Sequence, residues 1–461
     1  MTAVNAGARL DRLPIAAFHY RVLGLIAAGM FLDAFEIYLQ GSVLASLVAE
    51  KWSTPALNAN FISVTFGGMV VGAWIAGVLG DRFGRRYSYQ INLLVFGLAS
   101  LAGAAAPSMT WLIAARFVMG LGLGAEIVVG YVALSEFVPP RSRGRWGTAL
   151  AVITNSALFV SALLGRVVIP NWGWRWMFVI VGIGAVIVWY LRKSMPESPR
   201  WLEAKGHVEE AERVLAAIEQ EVGRGRALPP AAPSAVPLLR RPSLATLFSP
   251  GLILRTITGS VLLIALNTAI YGFIAFLPTF MVKQGMNIVT SLDYTMIMSG
   301  GGPVGALIGM WLGDRAGRKP CIIGGAVLAI VFGALYPTMT DPAALTLVGF
   351  LLVTSVYVLV AIAWGLYVPE LFPTEVRMRG AGFCNTAGRM MTILTPQLTV
   401  PLFAAFGVIG VIAMVGALLA LQGLLVAFFG IETKGRPLEA LVPAAAKAPA
   451  AVTEAAADPA Q

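Results

Sequence analysis

The chain has 461 residues, of which 58% are hydrophobic and only 12% charged, with a formal net charge of +10. A soluble domain averages about 25% charged residues because water must cover its surface; this composition excludes such a domain and requires lipid as solvent over most of the molecule. Two cysteines, Cys321 and Cys384, both near apolar runs, fit neither a disulfide framework nor a zinc site and read as small buried hydrophobes.

In chain order, residues 1–21 form a polar, Arg-bearing leader, which a cleavable signal peptide would not resemble; His19, at its end, reads as structural. Apolar runs of about 20 residues then predict six helical spans at 22–47, 60–80, 87–106, 111–134, 146–168 and 174–192. A polar stretch, 193–254, follows. It predicts an amphipathic helix with Leu202, Val208, Leu215 and Ile218 on its apolar side, then a flexible linker around Pro229, Pro230, Pro233 and Pro237. Six more spans are predicted at 255–281, 293–312, 320–338, 344–368, 380–404 and 407–430, before an Ala/Pro-rich, disordered tail at 431–461. The fold class is therefore an all-α membrane protein with twelve transmembrane helices in two six-helix bundles, 22–192 and 255–430.

Two features bear on orientation and duplication. Of the 33 Lys and Arg residues, Lys51, Arg175 and Lys283 fall on one side of the spans, Arg116, Arg166 and Arg389 fall within them, and the rest gather with the termini and the central stretch. That asymmetry places both termini in the cytoplasm of a plasma membrane, the bacterial inner membrane, and makes the net charge a topogenic signal rather than a nucleic-acid footprint. The segment Gly80-Asp81-Arg82-Phe83-Gly84-Arg85-Arg86 returns as Gly313-Asp314-Arg315-Ala316-Gly317-Arg318-Lys319, once per half. Asp81 and Asp314, with Arg85 and Arg318 beyond a glycine turn, can clamp helix ends together and release them as the bundle rocks; a purely topogenic role is the other reading.

Charges inside the bilayer carry the functional expectations. Asp33 and Glu36 share a face of the first span, and each carboxylate there costs about 2.5–3.5 kcal/mol on insertion scales. They read as proton-coupling groups, Asp33 foremost, or as members of a static ion pair, with Arg116 the natural counter-ion. Glu126, further along span four in Gly120-Leu121-Gly122-Leu123-Gly124-Ala125-Glu126, joins this set, and its glycines suit close helix packing better than a phosphate. Arg166 reads as snorkelling to the interface. Asn155, Asn267, Tyr271, Tyr357, Trp364, Asn385, Arg389 and Gln397 are candidate substrate-binding residues. Arg389 either offers a bidentate partner to a carboxylate or pairs with a protein acid. A Ser/His/Asp set, a metal cluster and a nucleotide loop are all missing from the sequence, so neither an enzyme nor a primary pump is expected, and no cofactor or metal. The expected partners are a small-molecule substrate, protons and the bilayer, with the chain a monomer.

Beyond these residues, the chain resembles the major facilitator superfamily over residues 20–430. The first loop motif matches from Gly77 through Asp81, Arg82, Gly84, Arg85 and Arg86; in the second copy Met310 replaces the leading glycine. The run Pro196-Glu197-Ser198-Pro199-Arg200-Trp201-Leu202 and the run Pro369-Glu370-Leu371-Phe372-Pro373-Thr374-Glu375-Val376-Arg377 are similar to the sugar-porter-like branch. That resemblance implies a cytoplasmic gating network of Glu136, Arg143, Glu197, Glu370 and Arg379, locked in the outward-open state, and an Asp33–Arg116 pair that opens on protonation. In place of the sugar-porter signature on span seven stands Ala265-Leu266-Asn267-Thr268-Ala269-Ile270-Tyr271. The leader Arg12-Leu13-Pro14-Ile15-Ala16-Ala17-Phe18-His19, with Asp33-Ala34-Phe35-Glu36, resembles the aromatic-acid and niacin transporter group. The expected function is proton-coupled uptake of a small organic anion by alternating access. The alternatives are a proton-coupled sugar or polyol porter and a drug or metabolite exporter, although span five lacks an exporter's Gly/Pro-rich pattern.

Overall fold

The structure, a computed structural model, describes residues 4–223, 228–230, 244–373 and 376–433. Pro233, Pro237, Thr374, Glu375 and the tail beyond 433 lie outside the described residues, as do the side chains of Asp81, Arg85, Arg143 and Asp314.

All described regular elements are helices, as the absence of water in a bilayer core demands: a helix satisfies its backbone groups within one segment. The first half contains α2 (Ala17–Ala49), α3 (Pro55–Phe83), α4 (Arg85–Ala104), α5 (Met109–Phe137), α6 (Pro140–Trp172) and α7 (Arg175–Leu191), preceded by a short α1 (Ala6–Asp11). After α8 (Pro199–Ala204) and α9 (Val208–Gly223), the second half runs through α10 (Ile253–Thr268), α11 (Leu277–Lys283), α12 (Ile288–Ser299), α13 (Gly301–Ala316), α14 (Arg318–Leu335), α15 (Pro342–Ile362), α16 (Val368–Glu370) and α17 (Arg377–Phe429). Span seven is α10 and α11 joined through a π-turn at Ala269–Phe273; span eight is α12 followed directly by α13; span ten is α15 and α16 joined through a π-turn at Ala363–Tyr367. Helix α17 holds spans eleven and twelve, broken at Gly407, whose φ of 64° and ψ of −156° are not helical. Twelve transmembrane helices result. Large apolar side chains such as Leu98, Ile187, Leu307 and Phe428 are exposed on the bundle, where lipid replaces water.

Helix starts follow from the sequence at the end of the bundle away from the N-terminus, the far end. Thr54, Ser108, Asn287 and Asp341 cap α3, α5, α12 and α15 by accepting from Leu57, Trp111, Thr290 and Ala344 backbone N–H groups, and Pro55 and Pro342 occupy first-turn positions. Within the first half, the glycines of span four do what their spacing suggests. A Cβ at Gly124 would stand 1.9 Å from the Met69 carbonyl oxygen and one at Gly120 2.3 Å from that of Thr65, so α3 and α5 touch backbone to backbone.

At the near end, the leader and the central stretch form a packed cap rather than loose connections. Val4, Ala6, Leu10 and Leu13 join Leu202, Ala211, Leu215, Ile218 and Val222 in one apolar cluster with Phe18, Phe137 and Trp146 of the first bundle. Arg9 pairs with Glu212 and Glu219 at 2.6 and 2.7 Å, Arg12 with Glu219 at 2.7 Å, and Arg200 with Asp11 at 2.5 Å. The single amphipathic helix expected here is two helices, because α8 ends at Gly206 (φ 82°) and the His207 N–H turns back to the Leu202 carbonyl. His19 is buried: its Nδ1 accepts from the Ala16 N–H at 3.2 Å and its ring packs edge-on to Phe18.

Polar contacts join the two halves near the far end. Ser63 donates to the Ile393 carbonyl at 2.6 Å, Gln397 donates to Asn60 and Ser63 at 2.9 and 3.2 Å, and Arg166 pairs with Asp293. Arg166 therefore does not simply snorkel; it bridges α6 to α12 and ties one half to the other.

Candidate functional site

The repeated loops place their glycines identically. Gly84 has φ 100°, ψ 166° and Gly317 φ 98°, ψ 166°, a left-handed conformation that a side chain would strain. Each turn exposes the first N–H groups of the next helix, and a glutamate receives them. Glu197 accepts from Arg86 N at 3.0 Å, and Glu432 accepts from Arg318 N and Lys319 N, each at 3.0 Å. Around these caps, Arg318 donates in bidentate fashion to Glu370 at 3.1 and 3.2 Å, and Thr433 donates to the same carboxylate at 2.5 Å. In the first half Arg200 Nε donates to the Glu136 carbonyl at 3.1 Å. These contacts of Glu136, Glu197, Arg318 and Glu370 each stay within one half; Arg379 lies half-buried in the first turn of α17. Glu432 is the member that the sequence reading missed. Its signal was present, since Glu432-Thr433 follows span twelve as Glu197-Ser198 follows span six.

Deeper in the first half lie two carboxylate–guanidinium units. Glu36 and Arg116, both fully buried, form an ion pair; Arg116 also donates to Thr65 Oγ1 at 3.2 Å, and its guanidinium carbon lies 4.6 Å from the Phe61 ring centroid. The expected Asp33–Arg116 pair is thereby corrected. Helices α2 and α5 run antiparallel, so the lower-numbered acid on α2 faces the higher-numbered position on α5. At 1.5 Å per residue, Asp33 lies about 24 Å from the far end of α2 and Glu126 about 25 Å from that end of α5, at matching depth. Glu36 is one turn closer to Arg116.

The second unit is built on Arg192, just beyond α7. Its guanidinium donates to the carbonyls of Leu25 and Ile26 at 2.8 and 3.0 Å, pairs with Glu126 at 2.5 Å and stacks on Tyr89 at 4.7 Å. Gly29 makes room for it: a Cβ there would stand 2.1 Å from Arg192 Nη2. Asp33, 1% exposed, lies within electrostatic reach of Glu126, Arg192 and Glu36, and among the described residues neither of its carboxyl oxygens has a hydrogen-bond partner. Arg192 was missed from sequence because it closes a span and reads there as one more near-end cation.

In the middle of the molecule, Tyr271 of the span-seven π-turn lies within electrostatic reach of Arg389 on α17 and of Tyr38 on α2, and Tyr38 adjoins Tyr357 on α15. Phe66 meets Tyr271 edge-on at 4.5 Å, closing one side. Of the candidate substrate residues, Tyr271, Tyr357 and Arg389 come together, with Tyr38 added from the other half. Asn267 borders them: a Cβ at Gly388 would stand 2.7 Å from Asn267 Nδ2. Asn267 and Asn385 donate to the carbonyls of Leu263 and Ala381 in their own helices. Asn155 is half-buried on α6, and Trp364, in the span-ten π-turn, keeps a buried indole N–H without a hydrogen-bond partner among the described residues. Gln397 is not in this group. It is exposed and holds the far-end contact with Asn60 and Ser63.

A contrast among the arginines follows. Arg116, Arg166 and Arg192 each meet a carboxylate, whereas among the described residues Arg389 has no ion-pair partner. Arg389 is thus a half-buried guanidinium bordered by the phenol of Tyr271, with no acid beside it among the described residues.

Comparison with known proteins places this geometry in context. Residues 25–444 match the family described as sugar (and other) transporter. The chain is 38% identical over 442 residues to the inner membrane metabolite transport protein YdjE of Escherichia coli K12, covering 94% of this chain and 97% of the relative. It is 32% identical over 438 residues to the niacin transporter NiaP of Acinetobacter baylyi, covering 94% and 98%. Among solved structures it is similar to the proton:xylose symporter XylE bound to 6-bromo-6-deoxy-D-glucose, with a TM-score of 0.68 at 19% identity over 92% of this chain and 98% of that one. It is also similar to the inward-open xylose transporter XylE from Escherichia coli, with a TM-score of 0.69 at 18% identity over 92% and 99%. At these identities the likeness to XylE is one of fold.

Proposed function

Since this chain belongs to the sugar (and other) transporter family of the major facilitator superfamily, and is thus a multi-pass membrane transporter and not an enzyme, we propose that it takes up a small organic anion, an aromatic or related monocarboxylate, together with protons. The observation that carries this reading is Arg389, the intramembrane arginine without an acid partner among the described residues, set beside Tyr271. Niacin, named for one relative, is itself a pyridine carboxylic acid and fits the same site chemistry.

The mechanism follows from charge. The carboxylate of the substrate completes the pair that the protein leaves open at Arg389, while Tyr38, Tyr271 and Tyr357 hold its body from both halves. With the termini cytoplasmic, an anion entering opposes the membrane potential by about 2.3 kcal/mol per charge per 100 mV. One proton carried with it cancels that charge and lets the pH difference drive accumulation. Asp33 is the acid best suited to carry the proton, being buried with neither a hydrogen bond nor an ion-pair partner among the described residues, whereas Glu126 and Glu36 each pair with an arginine. Asp33→Asn should abolish uphill, pH-driven accumulation.

The test is a thermal-shift screen of the purified protein against aromatic acids, aliphatic carboxylates and sugars, because a ligand that binds only the folded state raises the melting temperature. Carboxylates should shift it, and Arg389→Ala should weaken their binding about tenfold to a hundredfold, the loss expected for hydrogen bonds to a charged group. A shift with sugars and none with carboxylates overturns the anion reading.

A further inference from the structure

The first-half charges do not balance, and the imbalance has a location. Glu36 and Arg116 make a unit of one acid and one base. The unit beneath it holds two acids, Asp33 and Glu126, against one base, Arg192, all three no more than about 1% exposed. Among the described residues, the other groups facing it are Glu36 of the upper unit and the phenol of Tyr89 under Arg192; neither supplies a second positive charge. Arg192 does not serve both acids equally: it sits 2.5 Å from Glu126 and donates to the carbonyls of Leu25 and Ile26, whereas among the described residues Asp33 accepts no hydrogen bond from it. An uncompensated carboxylate in such surroundings is far more costly than a protonated one.

From this count we infer that the transported proton resides on the Asp33–Glu126 pair, one proton shared by two acids, with Arg192 as the positioning residue that sets the number at one. The upper Glu36–Arg116 pair already holds one base for one acid and leaves no surplus charge. This rests on the proton-coupled reading above and extends it: Arg192 fixes how many protons the site binds. On release, the O–H bond of the carboxyl breaks, the proton passes to near-end water, and the electron pair stays on the carboxylate.

The count makes a prediction that a merely structural Arg192 would not. Removing either acid leaves one acid and one base, which pair without a proton. Removing Arg192 as well leaves one acid and no base, which binds a proton again. The experiment is infrared difference spectroscopy of the full-length protein in lipid at neutral pH, reading the carbonyl stretch of a buried protonated carboxyl, with uphill accumulation in proteoliposomes as the second readout. The wild type should show the band; Asp33→Asn and Glu126→Gln should each lose it. Glu126→Gln/Arg192→Gln should regain the band and part of the accumulation that Glu126→Gln loses, and Arg192→Lys should keep the wild-type band. A wild type without the band, a band that survives both single acid substitutions, or a double variant that remains without it overturns the inference. The infrared measurement needs no substrate. If the band follows this pattern while no carboxylate binds, the substrate reading alone has failed.

Discussion

Glu36 and Arg116 show what a membrane interior makes of a single residue. Each is fully buried, and each answers the other's charge, with Thr65 and the Phe61 ring completing the shell around the guanidinium. Removing one partner of such a pair leaves an uncompensated charge and costs about 3–5 kcal/mol, whereas replacing both with apolar groups of similar shape is often neutral. Arg116→Met should therefore lower the melting temperature markedly, and Glu36→Leu/Arg116→Met should recover most of the loss. Thermal denaturation in detergent checks this. If the double variant is as unstable as the single, the pair has a role beyond charge balance. The same scale shows what sequence could reach. Asp33, Glu36, Arg116 and Glu126 were all visible as charges inside apolar runs. The partners were decided by depth, and depth could have been read from the antiparallel course of spans one and four. Arg192 and Tyr38 were hidden, one as a cation at the end of a span and the other as an aromatic in an apolar helix.

At the scale of elements, spans and their glycine turns were legible because lipid imposes a length and hydropathy that few soluble segments share. The spans of the sequence reading fall on the helices of the structure, and the spans eleven and twelve separate at Gly407. The cap was legible only in part. The apolar face of α9 could be read from its period, but the surface covering it is α1, a six-residue helix too short to give a periodic signal. Electrostatics holds that contact. Burial alone would raise the Glu219 carboxyl, yet hydrogen bonds from Arg9 and Arg12 outweigh it and hold the group below the usual carboxylate range. A lowered folded-state value means that the stabilisation is present above the unfolded pKa, about 4.3, and is lost as pH falls through the lower folded value. The leader should thus stay docked at neutral and mildly acidic pH and detach only as the pH falls below the ordinary glutamate range. Hydrogen exchange at residues 6–11 reads this directly. Glu219→Gln should raise exchange there at pH 7, and unchanged protection would mean that the apolar cluster alone suffices.

For the molecule as a whole, alternating access requires the contacts between halves at one end to be weak enough to break in every cycle. The far-end contacts meet that requirement. Arg166 and Asp293 are 32% and 38% exposed, so water screens their attraction, and an exposed pair contributes about 0.2–1 kcal/mol. The bond from Gln397 to Asn60, between α3 and α17, is exposed as well, whereas Ser63 is buried. A seal of this kind biases the equilibrium between the two end states without trapping it. Removing the ion pair should shift the populations by about 1.4-fold to fivefold, the ratio to which such an energy corresponds. Arg166→Ala should accordingly raise the rate at which an impermeant thiol reagent, added from outside, labels a cysteine placed at Asn60, by about the same factor. The charge-swapped variant Arg166→Asp/Asp293→Arg should return the rate towards its starting value, because the attraction is restored with its direction reversed. Were the swap to label as fast as Arg166→Ala, the pair would not be acting as a latch, and closure would fall to the α3–α17 contact. Substituting Gln397 and Ser63 would then produce the larger change.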